Sequence, residues 1–106
     1  ICPQIYWTFT NKTCPFKKTC LRWAKLPRNK NVKLYIGLAG YRAGLSKSQA
    51  KAVSDIGWSK SNTILKREVM YGRSTKKVSG YVLFSYADLS RKAASKEIAN
   101  LKKIFK

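Results

Sequence analysis

The stretch KLYIGLAGYRAGLSKSQ, residues 33–49, passes from an unbroken apolar run into a segment studded with Gly and Lys, with Tyr41 at the junction. A half-exposed antiparallel strand would alternate apolar with polar residues. This run is apolar on both faces after Lys33, so it predicts a parallel strand covered by helices over Val32 to Ala39. Gly37 and Ala39 alternate with larger neighbours and are expected to point into a crowded interior, with Tyr35 and Leu38 facing elsewhere. Gly80 is read the same way in a later strand.

Working outward, one plan recurs three times: a short run rich in β-branched and aromatic residues, a polar loop, then a segment of helical period. The first strand is Cys2 to Phe9, with Pro3 near its start where a missing N–H does least damage. Its helix opens at Pro15, and Phe16, Cys20, Trp23, Ala24 and Pro27 trace one face until the proline ends it. The strand at Val32–Ala39 is followed by a long loop, residues 40–61, with a helical turn expected at Lys47 to Val53. The next helix begins near Ser61 or Asn62 and carries Ile64, Leu65, Glu68, Val69 and Gly72 on or near its buried stripe. The third strand is Val78 to Tyr86, and Asp88 or Ser90 caps a last helix with Ala94, Ile98, Leu101 and Phe105 on its stripe. The fold class expected is therefore α/β, three consecutive β-α units with parallel strands in right-handed crossovers. Three such strands leave both sheet edges open and one face thinly covered, so missing strands or a partner are expected to complete the sheet.

The chain has 106 residues, enough for one small domain, and its 44% hydrophobic and 12% aromatic content suits a packed core rather than disorder. Twenty-three Lys and Arg against four Asp and Glu give a net charge of +19. That balance points to a polyanion partner such as nucleic acid, an anionic membrane or a cell-wall polymer. The plainer reading is a set of solvated helix faces, because pairs such as Lys17–Lys18, Lys76–Lys77 and Lys102–Lys103 are spread along the chain and no long basic run occurs. Cys2, Cys14 and Cys20 are an odd count, His is absent, and the spacing fits no usual zinc set, so neither a metal site nor a cofactor is expected. Asn11-Lys12-Thr13 matches the N-glycosylation pattern, which carries meaning only in a secreted eukaryotic protein. The chain opens on Ile1 inside a strand-like run with no leader ahead of it, so it reads as a piece of something longer. No apolar stretch reaches the roughly 18 residues needed to cross a bilayer.

The wording of these elements resembles a known group. PQIYW at 3–7, LYIGLAGYRAG at 34–44, GW and SN-x-I-L-x-R within 57–67, and SGYVLFSYADL at 79–89 are similar to the closing part of bacterial glycosylhydrolase-like proteins. These are the lipoprotein-type "family 10 glycosylhydrolases", distinct from the xylanases of that number. The resemblance implies a (β/α)8 barrel of which this chain forms the last three units, and an extracellular or cell-envelope location in a bacterium. It also implies a carbohydrate substrate bound at the carboxyl ends of the strands.

Glycoside hydrolysis needs two facing carboxyl groups. Asp55, Glu68, Asp88 and Glu97 are the candidates. Glu68 and Glu97 are expected to pair with helix lysines, Asp88 to cap a helix and Asp55 to shape a turn, so none is assigned as catalytic. The chain is expected to supply a sugar-stacking platform of Tyr6, Trp7, Tyr41, Trp58 and Tyr86, with Gln4 and Asn62 as polar neighbours. Set against this are core packing for the same aromatics and, at the level of function, a basic polyanion-binding module or a degenerate barrel that binds without catalysis.

Overall fold

The computed structural model describes residues 1–26 and 29–105, so the expectation that Pro27 ends the first helix lies outside the described residues. Two strands, β1 (Tyr35–Leu38) and β2 (Gly80–Leu83), pair in parallel with Tyr35 opposite Gly80 and Leu38 opposite Leu83. The N–H of Ser79 donates to Leu34 C=O at 2.7 Å and that of Phe84 to Leu38 C=O at 3.1 Å, which carries the pairing just past both ends. On the free edge of β1 runs the chain's first segment. Tyr35 N–H donates to Ile1 C=O (2.8 Å), Gly37 N–H to Pro3 C=O (2.9 Å), and Ile5 N–H to Gly37 C=O (3.0 Å), giving one parallel bridge between Gln4 and Gly37. The strand expected over Cys2–Phe9 is thus reduced to a bridge, and Pro3 is the reason. A parallel ladder would bring the N–H of residue 3 to the Tyr35 carbonyl, and proline has none. Beyond Ile5 the pairing ends because Arg42 N–H donates to Ala39 C=O at 3.0 Å, turning β1 into a 3-10 turn at Gly40–Arg42.

Among the described residues the chain forms the helices α1 (Phe16–Lys25), α2 (Lys47–Ala52), α3 (Ile64–Ser74), α4 (Tyr86–Leu89) and α5 (Ser95–Lys102), with further 3-10 turns at Ile56–Ser59 and Lys92–Ala94. The helical turn expected near Lys47–Val53 is α2, and the residues 40–61 are ordered by local structure rather than forming an open loop. Ser46 and Gln49 start α2 as a reciprocal capping box, Gln49 N–H donating to Ser46 Oγ (3.3 Å) and Ser46 N–H to Gln49 Oε1 (2.9 Å). The last helix is broken in two. Ser85 caps α4 with Asp88 at its third position, in place of the expected cap at Asp88 or Ser90. Phe105 lies beyond the end of α5, 48% exposed, with the Arg73 guanidinium 4.8 Å above its ring, so it is not part of a buried stripe.

The helices α1, α3 and α5 form one layer, α3 packing against both neighbours. Their buried residues, Phe16, Cys20 and Ala24 on α1 and Leu65, Val69 and Gly72 on α3, face the sheet side that carries Ile5, Leu34, Ile36 and Leu38. Tyr81 joins the layers, its hydroxyl donating to Val69 C=O at 2.8 Å. The opposite sheet face holds Cys2, Gln4, Tyr35 and Val82, all exposed, the last two at 39% and 40%. Helical cover on both faces, as β1's pattern suggested, is therefore not what this chain achieves. Tyr35 shares the Gly37 face rather than opposing it, as a period of two requires. Side chains of the sheet itself close that face over its glycines: a Cβ on Gly37 would lie 3.3 Å from the Phe84 ring, and one on Gly80 would lie 2.8 Å from the ring of Tyr35. The least extent, 21 Å, fits one sheet layer and one helix layer. The fold is mixed α/β around a two-stranded parallel sheet.

Candidate functional site

Parallel strands deliver their carboxyl ends to one rim, and three aromatic residues collect there. Continuing the register from Gln4, Gly37 and Val82 by two residues brings Tyr6 and Phe84 to the same level, with Tyr41 just beyond β1. The ring of Tyr6 meets Tyr41 at 5.4 Å and 84°, and Phe84 at 5.9 Å and 62°. Both are edge-to-face contacts, worth about 1 kcal/mol each beyond buried area. Tyr41 N–H donates to Phe84 C=O at 2.8 Å, which locks the two strand ends together. Burial chiefly, then neighbouring Tyr41 and Cys2, pushes the Tyr6 hydroxyl pKa up.

Two arginines brace this rim. Arg42 Nη1 donates to Tyr6 C=O at 2.8 Å, while its guanidinium stands 5.4 Å from the Tyr41 ring centre and its buried Nε has no protein partner. Arg91 Nη2 donates to the carbonyls of Gly40 (3.1 Å) and Ala43 (3.0 Å), and its Nε donates to Asp88 C=O at 3.0 Å. Gly40 permits the close approach, since a Cβ there would sit 2.7 Å from Leu89 Cδ2 and 3.0 Å from Phe84 C=O. Phe84, Arg42 and Arg91 were not among the residues singled out in the sequence. The signal for Phe84 was its place two residues past Val82 in a period-two strand; the arginines bond to carbonyls distant in sequence, which no local pattern marks.

The remaining expected residues scatter. Gln4 is exposed on the uncovered sheet face, where it forms the bridge to Gly37. Trp7 is half-buried against the core. Trp58 is 1% exposed within the turn Ile56–Ser59, so its ring offers no face to a ligand, and its Nε1–H has no protein partner. It was misjudged because a tryptophan in a loop reads as exposed, whereas this loop folds back onto the core. Asn62 is exposed ahead of α3, with its carbonyl held by Asn100 Nδ2 at 3.0 Å, and Tyr86 is 90% exposed on the first turn of α4.

The acids are placed differently from expectation. Glu97 does not pair with a lysine: its carboxylate accepts the N–H groups of Ile64 (3.3 Å) and Leu65 (3.1 Å), capping α3 from a neighbouring helix. Burial raises its pKa while those bonds pull it down. Glu68 is fully buried, and neither carboxyl oxygen has a protein partner. Burial, with Glu97 and Asp55 nearby, holds its pKa well above the usual carboxylate range, which favours the neutral acid. Asp55 is also buried, accepting Thr8 N–H at 2.8 Å and Thr8 Oγ1–H at 2.6 Å, which ties the loop to the first segment. Asp88 accepts from Ser85 Oγ at 2.6 Å, a bond that lowers its pKa. None of the four belongs to the aromatic rim as a facing pair. The signal for Glu68 and Glu97 was present in helical spacing: Glu68 falls between Leu65 and Gly72, and Glu97 lies three residues after Ala94 and four before Leu101.

All three cysteines are free, and burial raises the thiol pKa of Cys20 to about 11, which makes it unreactive. Among the described residues no cluster of three or more metal-binding side chains occurs, and no helix is long and apolar enough to cross a membrane. Comparison with known protein families, with curated proteins and with solved structures finds no match to this chain.

Proposed function

We propose that the chain is the closing part of a carbohydrate-active (β/α)8 hydrolase, supplying sugar-stacking aromatics while the catalytic acids come from strands outside it. The observation that carries this reading is the meeting of Tyr6, Tyr41 and Phe84, each just past the end of an extended segment, at the carboxyl end of a parallel sheet. Sugar rings present apolar C–H faces that stack on aromatic faces, while hydroxyls bond polar neighbours. Helices on a single sheet face also support the reading, since a barrel keeps its helices outside and its strands' other face inside. The small residues Gly37 and Gly80 on the uncovered face suit such an interior. The four acids, each engaged or buried elsewhere, fit a piece without its catalytic pair. On this reading the substrate is a polysaccharide or cell-envelope glycan, the parent works outside the bacterial cytoplasm, and the isolated chain hydrolyses nothing.

Calorimetric titration with neutral oligosaccharides tests it. The chain should bind a glycan with an affinity nearly independent of salt, and Tyr41→Ala should weaken it by about 1 kcal/mol, roughly fivefold in Kd. Absence of binding to every neutral glycan tried, or binding indifferent to Tyr41→Ala, would remove the proposal.

A further inference from the structure

The outer face of the helix layer has a chemistry unrelated to the aromatic rim. On α1 the exposed cations are Lys17, Lys18, Arg22 and Lys25, opposite the buried stripe of Phe16, Cys20 and Ala24. On α3 they are Arg67 and Arg73, with Lys66 half-exposed beside them, and α5 adds Lys96 and Lys102. Because α3 touches both α1 and α5, these cations belong to three adjoining helices of one layer. What makes it strongly positive is where the acids went. Three of the four acidic side chains, Asp55, Glu68 and Glu97, are buried, and Asp88 is bonded to Ser85 on α4. The acids of α3 and α5, Glu68 and Glu97, face inward rather than pairing with lysines, so this surface carries no acidic side chain of its own helices.

We propose that this face docks on the phosphate backbone of duplex nucleic acid without reading its sequence. A duplex carries about one charge per 1.7 Å of axis, and neutralising it releases condensed counterions, so the densest polyanion gains most from such a face. Two aromatics beside this face already carry its cations: Arg67 lies 5.3 Å from the Phe9 ring centre and Lys17 lies 5.6 Å from that of Tyr71. That favours backbone contact over single-strand stacking. An anionic bilayer is the weaker fit, because within the three helices Met70 is the only large apolar side chain exposed among the described residues, and interfacial helices need an apolar stripe to insert.

Fluorescence anisotropy with a labelled 20-base-pair duplex of arbitrary sequence tests this, using the whole chain. If about six phosphates are neutralised, affinity should fall about 10³-fold between 50 and 200 mM salt, and equally for unrelated sequences. The triple variant Lys18→Gln, Arg22→Gln, Arg67→Gln should lose at least about tenfold in affinity. A control removing the same charge elsewhere, Lys30→Gln, Lys47→Gln, Lys51→Gln, should lose less than about threefold. All six positions are exposed, and circular dichroism of both variants checks that the fold is kept. Equal losses in the two variants would overturn the assignment of the face, leaving only net charge. Tighter binding to vesicles of phosphatidylglycerol than to the duplex would overturn the choice of partner, as would absence of duplex binding at 50 mM salt.

Discussion

A carboxyl group with no partner for either oxygen is rare in a protein interior, and Glu68 is one. Its chemistry gives a signed prediction. Because the folded pKa lies above the ordinary 4.5, the native chain keeps a proton that the unfolded chain releases once the pH passes that value. The stability this group permits is therefore fully present below about pH 4.5 and falls as the pH climbs from there toward the folded pKa. Glu68→Gln, which cannot ionise, should match the parent near pH 4 and exceed it at pH 7. Urea unfolding at both pH values checks this, and a variant less stable than the parent at pH 7 would mean that Glu68 is charged and paired. Asp55 is the opposite case, a buried carboxylate with both oxygens in use. Asp55→Ala strands the Thr8 N–H in the core and should cost about 1–3 kcal/mol, read as a lower urea midpoint with unchanged slope.

At the level of elements, α3 depends on its neighbour. Its own N-cap, Thr63, makes no side-chain capping bond, and the first N–H groups are satisfied by Glu97 of α5. Glu97→Ala should destabilise the chain by about 1–3 kcal/mol, whereas Glu97→Gln, which keeps an acceptor, should recover most of that loss in thermal unfolding. Such a cap joins residues more than thirty positions apart and leaves no local trace in the sequence, while α2, whose cap is the neighbouring Ser46–Gln49 box, was legible as a helical turn. The same contrast runs through the fold. The parallel character of β1 followed from its apolar faces, and α1 and α3 from their periodicity. The first strand was overread because the count of β-formers from Cys2 to Phe9 outweighed the single N–H that Pro3 lacks. The candidate site was legible in part: Tyr6 and Tyr41 come together, whereas Trp58 folded inward with a loop whose tertiary contacts through Asp55 no local pattern announces.

At the scale of the whole molecule, the uncovered sheet face and the open edge of β2 govern behaviour. Exposed strand edges template pairing with another chain, and the half-exposed Tyr35 and Val82 add apolar area to that surface. The charge of +19 opposes contact between copies, so screening by salt should promote it. A piece whose sheet is completed by further strands, as proposed above, should be marginally stable alone and associate through its sheet. Sedimentation velocity at two concentrations and two salt levels, paired with thermal unfolding by circular dichroism, tests that most directly. The sedimentation coefficient and the Tm should both rise with concentration, more so at the higher salt. A concentration-independent monomer that unfolds in one cooperative transition would contradict it, and would mean that these residues close their own core without further strands.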